Sequence, residues 1–237
     1  MVRAVQVLAF ATTLSACGRV SFDPHPDAAL DPALVAWYPM DDPPEDGARD
    51  ATANHFDATC DPTCPTSTSG VLRNGFAFAQ GAALVLPEDP RLELDRGTIA
   101  CWGRVDAIAA AYDQLISRSY GTQLENSIEL YVTTSDNVYV GEDAMMPKSH
   151  ISVPRPDVVG TWIHFAATWD AGTINLFLDG APVGMATFAT TFDAHPWRIG
   201  ADFNNGAVTD TLVGALDDVR LYDRALSPTE ISALATR

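Results

Sequence analysis

Short segments that alternate apolar and polar side chains fill most of the chain, and turn residues separate them. Such alternation is typical of antiparallel strands that bury one face. A helical spacing of three or four residues appears only near the C-terminal end. The chain is therefore predicted to be all-β, with strands at 34–40, 75–79, 82–86, 98–105, 114–118, 127–133, 162–169, 173–178, 182–188, 197–200 and 212–222.

Two turn sequences predict a series of hairpins in the second half of the chain. Asp170-Ala171-Gly172 and Asp179-Gly180 lie at the two ends of one predicted strand. Asp-Gly is a preferred hairpin turn because both positions tolerate a positive φ. Between the turns, apolar side chains recur at every second position, so the strand is expected to bury one of its faces.

The C-terminal end carries the helix signal. Ser227-Pro228-Thr229-Glu230 has the form of a capping box, with Ser227 as N-cap, proline at the first helical position and Glu230 at the third. Ile231 and Leu234 follow as a short apolar stripe. We predict one short helix that closes the all-β chain.

Residues 1–16 have the features of a bacterial signal peptide. Arg3 gives a positive start, and the apolar stretch 5–11 is too short to span a bilayer as a helix. Leu14-Ser15-Ala16-Cys17 follows and resembles a lipobox, in which the chain is cleaved before a cysteine that becomes lipid-modified. The alternative is an ordinary signal peptide with a chance cysteine at position 17.

The remaining chain divides into a flexible tether at 17–33, rich in Pro, Asp and Ala, and one domain at 34–237. Lipidation of Cys17 implies that the membrane is contacted through the lipid anchor. The residue after Cys17 is Gly18 and not an aspartate. In this respect the chain resembles lipoproteins that are sorted to an outer membrane. The expected location is the cell envelope, at the outer membrane if the organism has one, or the extracellular space.

Composition narrows the choice of partners. The 237 residues are 47% hydrophobic, which is enough for a large core, and the formal net charge is −17. A strongly acidic surface repels phosphate backbones, so nucleic acid is not an expected partner. Acidic residues suit divalent cations or neutral glycans, and they also serve simple solubility.

The cysteines other than Cys17 suggest one disulfide and one thiol. Cys60 and Cys64 are close enough in sequence for a small-loop disulfide in an exported protein. The alternative, half of a metal site, lacks a second cysteine or histidine pair at zinc-like spacing. Cys101 lies in an apolar run and is expected to be a buried free thiol.

Eight segments in order resemble the motifs of laminin G-like domains of the concanavalin A-like lectin and glucanase superfamily, in their bacterial, pentraxin-like form. The last of them, Leu216-Asp217-Asp218-Val219-Arg220-Leu221-Tyr222, is close to the I-D-D-V-R-I-Y strand of that family. The resemblance implies a jelly-roll sandwich of two antiparallel sheets, with ligands on a concave face or on rim loops. The segments are Leu34–Asp42, Asp50–His55, Gly75–Phe78, Thr98–Trp102, Thr161–Asp170, Leu176–Gly180, Arg198–Gly200 and Leu216–Ser227.

The resemblance extends to glucanases, but their catalytic pattern is incomplete. They carry E-x-D-x-x-E on one strand, and a retaining mechanism needs two carboxylates about 5 Å apart. Glu93 and Asp95 begin such a pattern, whereas Thr98 stands in place of the second glutamate. His164 has no evident serine or cysteine partner and is interpreted as a hydrogen-bonded structural residue. We predict that the chain is not an enzyme.

The resemblance also implies a structural calcium ion between an early loop and the last long strand. Carried over to this sequence, the ligands are Asp217, Asp42 and Asn54, because calcium prefers carboxylate and amide oxygens. On strand periodicity Asp217 shares a face with Val219 and Leu221 and so needs a partner. The alternative is that Asp217 accepts backbone N–H groups without any metal.

The predicted function is a surface-anchored, non-catalytic binding module that recognises a glycan or an extracellular protein. A structural or adhesive envelope lipoprotein is the alternative, and a polysaccharide-degrading enzyme ranks last. The five tryptophans lie in predicted strands and are expected in the core. Ligand-specific loops are expected at 121–126 and 141–148, in a region that contains four tyrosines, namely Tyr112, Tyr120, Tyr131 and Tyr139.

Overall fold

A computed structural model describes residues 31–108, 111–120, 125–135, 137–142, 149–155, 157–189 and 192–236. The predicted signal peptide, Cys17 and the tether up to residue 30 lie outside these ranges. The strands in chain order are β1 (Leu34–Tyr38), β2 (Thr59–Cys60), β3 (Thr66–Ser69), β4 (Asn74–Phe78), β5 (Leu84–Val85), β6 (Gly97–Val105), β7 (Tyr112–Tyr120), β8 (Glu125–Thr133), β9 (Asn137–Gly141), β10 (His150–Pro154), β11 (Ile163–Asp170), β12 (Thr173–Leu178), β13 (Ala181–Thr187), β14 (Trp197–Ile199), β15 (Asp202–Asn204), β16 (Ala207–Thr209) and β17 (Gly214–Tyr222).

The strands form two large antiparallel sheets. The eight-stranded sheet has the order β13-β12-β11-β6-β17-β4-β3, and β1 pairs with β17. The seven-stranded sheet has the order β10-β9-β8-β7-β14-β5-β2, and β15 and β16 form a separate hairpin. The predicted all-β sandwich is confirmed. Six strands, β2, β3, β9, β10, β15 and β16, lie where the sequence predicted none.

The core lies between the two sheets. Alternate side chains of each strand point inward, so facing strands bury a continuous apolar layer. Trp169 and Trp197 are fully buried there, and their indole N–H groups donate to the carbonyl oxygens of Leu94 (2.8 Å) and Leu92 (2.9 Å). Cys101 is a buried free thiol, as predicted.

The predicted hairpin turns are confirmed. Ala171 (φ 47°) and Gly172 (φ 80°) connect β11 to β12, and Asp179 (φ 49°) and Gly180 (φ 76°) connect β12 to β13. The positive φ values explain Gly172, Asp179 and Gly180, since glycine and aspartate tolerate this region better than most residues.

The C-terminal helix α1 (Pro228–Leu234) begins at the predicted capping box. The Ser227 side chain accepts from the backbone N–H of Glu230, and the Glu230 carboxylate accepts from the backbone N–H of Ser227 (2.7 Å). Ile231 of this helix packs with Trp37 and Phe177 on the outside of the eight-stranded sheet. Among the described residues, no helix is long and apolar enough to cross a membrane.

The predicted disulfide between Cys60 and Cys64 is present. It closes the short loop that connects β2 to the segment before β3. The loop returns toward the seven-stranded sheet, where Asp61 contacts Arg198 of β14. The disulfide therefore holds a charged residue next to that sheet.

Candidate functional site

Four aromatic side chains form a continuous row on the outer face of the seven-stranded sheet. Tyr112, Tyr131, Tyr139 and His150, here called the aromatic row, come from β7, β8, β9 and β10 in that order. Their consecutive ring centroids are 5.1, 4.4 and 4.7 Å apart. Tyr131 and Tyr139 are a direct cross-strand pair, whereas Tyr112 and His150 lie diagonal to their neighbours, within reach of long aromatic side chains.

The ring orientations leave the ends of the row accessible. Tyr131, Tyr139 and His150 are stacked with interplanar angles of 21° and 19°, so the inner rings cover one another's faces. Tyr112 meets Tyr131 at 74° and is 45% exposed, whereas Tyr131 is 8% exposed. His150 is also exposed. A ligand can therefore reach the rings of Tyr112 and His150 and the edge of the Tyr139 ring.

A second line of side chains, here called the polar row, runs beside the aromatic row. Arg198 pairs with Ser117, and Ser117 pairs with Glu129, across β14, β7 and β8. Glu129 and Tyr131 are both on the outside because Leu130 between them faces the core. Burial raises the pKa of Tyr131 above its ordinary value, and the charge of Glu129 raises it further.

Two buried polar groups lie at the β7 end of the aromatic row. Gln114 pairs in register with Tyr131, and its amide nitrogen has no acceptor among the described residues. Asp113 accepts from the backbone N–H of Val213 (3.1 Å) through one oxygen, while its other oxygen has no donor there. Burial raises the pKa of Asp113 to about 6, and the charge of Asp210 adds to the rise.

The hairpin of β15 and β16 forms a wall beside the polar row. The hydroxyl groups of Ser117 and Ser119 donate to the carbonyl oxygens of Ala201 (2.9 Å) and Phe203 (3.4 Å). The Phe203 ring covers the guanidinium of Arg198 at 4.2 Å. We call this whole surface, the two rows and the hairpin, the aromatic face.

The outer face of the eight-stranded sheet carries a cluster of polar groups that pair with one another. The Trp37 indole N–H donates to Asp218 (2.7 Å), which also accepts from Arg220 (3.0 and 3.1 Å). The Arg220 guanidinium lies 4.9 Å from the Trp37 ring. Helix α1 packs over the neighbouring apolar residues, and we call this surface the helix-covered face.

His164 lies on the helix-covered face and is buried. Its ring packs edge-on against Trp102 at 5.2 Å, and Nδ1 has no hydrogen-bond partner among the described residues. Burial lowers the pKa of His164 to about 4. Its backbone N–H and carbonyl are both bonded to Asp179. These contacts fit a packing residue whose ring is neutral at physiological pH.

Strand periodicity predicted that Asp217 faces the apolar side with Val219 and Leu221, and this prediction is wrong. A register shift in β17 between Asp217 and Arg220 changes the alternation, so Val219 and Leu221 enter the core while the Asp217 carboxylate meets the turn at 70–73. One carboxylate oxygen accepts the backbone N–H groups of Val71 (2.7 Å) and Leu72 (3.0 Å). This arrangement matches the metal-free alternative to a calcium site.

The fit of Asp217 to calcium is weak in the described part of the chain. Its second oxygen is buried with no donor, and burial raises the pKa to about 7. Calcium needs six to eight oxygens. Within the described ranges, no three His, Cys, Asp or Glu side chains form a cluster that could hold a metal. Calcium at this position stays a prediction.

The other two predicted ligands have contacts of their own. The Asn54 amide donates to the Val35 carbonyl (2.8 Å), and its oxygen accepts from Arg91 (3.0 Å). Asp42 is exposed on the loop after β1, where its neighbour Asp41 accepts from the backbone N–H of Asn74. None of these contacts joins Asn54 or Asp42 to Asp217.

The remaining aromatic and acidic residues sort by position. Trp37, Trp102, Trp169 and Trp197 are buried, as predicted for the tryptophans, and Trp162 is half-buried beside Arg104. The Tyr120 side chain and the predicted ligand loops at 121–124 and 143–148 lie outside the described residues. Glu93 and Asp95 are exposed in the segment before β6, and the Thr98 hydroxyl donates to the Arg224 carbonyl.

The family model described as the concanavalin A-like lectin/glucanases superfamily matches residues 78–232. The chain belongs to this superfamily. A search of curated proteins found no match. The matched segment contains every residue of the aromatic row and the polar row.

Solved structures with the superfamily fold resemble the chain at low sequence identity. Domain 4 of the arabinanase AbnA from Geobacillus stearothermophilus, solved with arabinotriose, has a TM-score of 0.67 at 15% identity, over 86% of this chain and 98% of that one. The binding domain of Paraclostridial Mosquitocidal Protein 1 has a TM-score of 0.68 at 15% identity, over 86% of this chain and 52% of that one. At these identities the likeness shows the fold alone.

A third structure is a carbohydrate-binding module of a sialidase. The CBM40 of the Ruminococcus gnavus IT-sialidase, bound to α2,3 sialyllactose, has a TM-score of 0.59 at 20% identity, over 68% of this chain and 96% of that one. The structural neighbours of this superfamily member thus include carbohydrate-binding modules and toxin binding domains.

Several residues of the aromatic face were not singled out from the sequence. Glu129, Gln114 and His150 belong to none of the family-like segments, and Arg198 only begins one of them, whereas the tyrosines of the row were noted. Period-two alternation in 127–133 would have placed Glu129 and Tyr131 on one face. Their alignment with residues of β7, β10 and β14 depends on strand pairing, which one sequence does not reveal.

Proposed function

We propose that the protein is a non-catalytic binding module that recognises a glycan through its aromatic face. The observation that carries this proposal is the aromatic row itself, a continuous set of rings across four strands with exposed rings at both ends. A row of aromatic side chains on a sheet surface exceeds what folding needs, because the core already lies on the opposite side of the same strands.

The chemistry of the face suits sugar rings. A pyranose or furanose has an apolar face of C–H groups that packs on an aromatic ring, and the exposed rings of Tyr112 and His150 offer such surfaces. A buried amide nitrogen without an acceptor costs about 1–3 kcal/mol, so Gln114 is suited to bind a buried water beneath the rings.

The polar row supports binding rather than hydrolysis. A retaining glycosidase places two carboxylates about 5 Å apart, which is close to the spacing of neighbouring strands. The cross-strand neighbours of Glu129 are Ser117 on β7 and Gly141 on β9, and neither is an acid. The toxin binding domain and the CBM40 among the structural neighbours also support a binding role.

Display on the cell envelope is part of the same proposal. The support is the signal-like segment 1–16 and the lipobox-like sequence ending at Cys17. If Cys17 carries the lipid, Cys17→Ala abolishes incorporation of a labelled fatty acid and releases the protein from the membrane fraction. Continued labelling of the variant would contradict the anchor and leave the binding proposal unaffected.

The proposed function is tested on an array of neutral and acidic glycans with purified full-length protein and a Tyr112→Ala variant. We expect selective binding by the wild type and loss of that binding in the variant, with an unchanged melting temperature. Wild-type protein that is folded but binds no glycan would favour the structural or adhesive alternative. Binding that survives unchanged in Tyr112→Ala would place the site elsewhere.

A further inference from the structure

The two exposed ends of the aromatic row lie at different heights in the seven-stranded sheet. Tyr112 of β7 is opposite Thr133 of β8. At the other end, His150 of β10 is opposite Gly141 of β9, and Gly141 in turn is opposite Glu129 of β8. The two ends therefore correspond to positions 133 and 129 of the same strand. The aromatic row thus runs obliquely across four strands.

Exposed ring surface is found at the ends of the row. Tyr131 is 8% exposed, and Tyr139 is stacked between Tyr131 and His150 with interplanar angles of 21° and 19°. Tyr112 is 45% exposed at one end. At the other end, His150 is exposed and covers Tyr139 with one face, and β10 is an edge strand of its sheet. The exposed part of the imidazole therefore lies on the side away from Tyr139.

The distance between the two ends sets the length of a ligand that contacts both. Consecutive ring centroids are 5.1, 4.4 and 4.7 Å apart, and the two inner rings separate Tyr112 from His150. A sugar ring is similar in size to an aromatic ring, and its apolar C–H face packs on one ring at a time. A disaccharide therefore contacts one end of the row, whereas a linear chain with one sugar for each of the four rings contacts both.

Contact with both ends raises affinity without any new kind of contact. Once one part of a ligand is bound at one end, the other part binds within the same complex, at a high effective concentration. Pairing of the strands from β7 to β10 holds the two end rings at a fixed separation before the ligand arrives. Such preorganisation lowers the entropy cost of binding. A linear ligand of matching length therefore gains most.

We propose that the aromatic face selects linear oligosaccharides of at least four sugars, which lie along the row and contact Tyr112 and His150 together. This inference rests on the proposed glycan-binding function and adds the length and shape of the ligand. A terminal sugar or a compact branched epitope contacts one end of the row and gains nothing from the second exposed ring. Binding to the interior of a linear chain is the expected mode.

Chain length is the variable that tests this inference. Full-length protein is titrated calorimetrically with linear series of two to six sugars, made of β1,4-linked glucose, β1,4-linked xylose and α1,5-linked arabinose, and with fragments of any linear glycan that the array selects. In each series that binds, we expect the tetrasaccharide to bind at least tenfold more tightly than the disaccharide. The gain from the fifth to the sixth sugar should be less than twofold, because both end rings are already contacted.

Variants of the two end rings distinguish a bridging ligand from two independent sites. Tyr112→Ala and His150→Asn should each weaken binding of the tetrasaccharide about tenfold, because each removes one of two linked contacts. Binding of the disaccharide should fall by no more than about twofold in each variant, since the other end still accepts it.

His55→Asn is the matched control, because it changes an exposed histidine in the loop between β1 and β2, outside the aromatic face. It should bind both ligands as the wild type does. All three variants should keep the wild-type melting temperature, since the replaced side chains are exposed.

The outcomes distinguish this inference from the proposed function. Equal affinity for the disaccharide and the tetrasaccharide, or selection of branched or terminal epitopes alone on the array, would overturn the length requirement while the binding function stands. An effect of twofold or less of His150→Asn on the tetrasaccharide would remove the second contact. A folded protein that binds no glycan of any kind would overturn the proposed function, and this inference with it.

Discussion

The two outer faces of the sandwich use similar residues in opposite ways. On the helix-covered face, Trp37, Asp218 and Arg220 satisfy one another, and helix α1 covers the apolar residues beside them. On the aromatic face, the rings at the ends of the row stay exposed, and the Gln114 amide nitrogen has no acceptor among the described residues. Both faces carry aromatic and charged side chains in adjacent strands.

This contrast shows why residue type alone does not mark a binding site. A tryptophan next to an aspartate and an arginine would suit a ligand site. Here the Trp37 indole and the Arg220 guanidinium both already donate hydrogen bonds to Asp218. Tyrosines are common in sandwich cores, yet here they lie outside the core with an exposed end. What separates the two faces is whether ring surfaces remain exposed, since Trp37 and Trp102 are buried while Tyr112 is 45% exposed.

The largest expected effect comes from breaking the helix-covered face. Asp218→Ala leaves the buried Arg220 and the Trp37 indole without their acceptor and should lower the free energy of unfolding by about 3–5 kcal/mol. Asp218→Asn keeps an acceptor at this position of positive φ (51°) and should cost less. Urea denaturation measures both. A loss below 1 kcal/mol in Asp218→Ala would show that the triad is not a structural element.

The next largest effect is a pH dependence of stability that comes from the Asp113 carboxyl, beneath the aromatic row. The folded-state pKa of Asp113, about 6, lies above the unfolded value, so the native state binds the proton more tightly. Protonated Asp113 therefore stabilises the folded state below about pH 4. This contribution to the free energy of unfolding, on the order of 2–3 kcal/mol, is lost as the pH rises through about 6. Asp113→Asn should flatten that part of the stability curve. An equally steep curve in the variant would assign the slope to other groups.

The disulfide stabilises the loop that follows β2. Cys60→Ser with Cys64→Ser opens a five-residue loop and should reduce the free energy of unfolding by about 2 kcal/mol, because the disulfide restricts the unfolded chain. Urea denaturation of the variant and the wild type under non-reducing conditions measures the change. Equal stability of the two proteins would contradict this role of the disulfide.

The calcium prediction concerns the helix-covered side of the molecule. If Asp217 binds calcium, millimolar calcium at pH 7.5 should raise the melting temperature of the wild type by a few degrees, because a ligand that binds the native state stabilises it. Asp217→Asn should abolish the response. No response in the wild type would favour the arrangement in which Asp217 only accepts backbone N–H groups.

The smallest energetic change is expected at the exposed end of the aromatic row. Tyr112→Ala should weaken binding of an array-selected glycan by about tenfold, roughly 1.4 kcal/mol, with no loss of stability because the side chain is 45% exposed. Met185→Ala, at a 73% exposed position on edge strand β13, is the control. Equal affinity in both variants would remove Tyr112 from the site.

The sequence predicts those parts of the fold that depend on local chemistry. The Asp-Gly turns, the Ser227 capping box and the Cys60–Cys64 disulfide are set by residues close in sequence, and all three are present. Strands with long apolar runs were predicted for the same reason. β9 and β10 were missed because they depend on strand pairing, β9 with β8 and β10 with β9, which one sequence does not reveal.

The candidate site was less predictable because it depends on register. The aromatic row needs Gln114 opposite Tyr131, which follows from a register shift between Gln114 and Ile116 that the sequence does not indicate. A similar shift in β17 reversed the predicted face of Asp217. One extra residue in a strand exchanges the two faces, so period-two reasoning holds only up to the first bulge.

The central claim is that one of the two outer faces binds ligand and the other does not. Hydrogen exchange of full-length protein, with and without an array-selected glycan, tests this claim on both faces at once. We predict added protection in peptides from β7 to β10 and β14, and unchanged exchange in β17 and α1. Protection confined to β17 and α1, with β7 to β10 unaffected, would contradict the account.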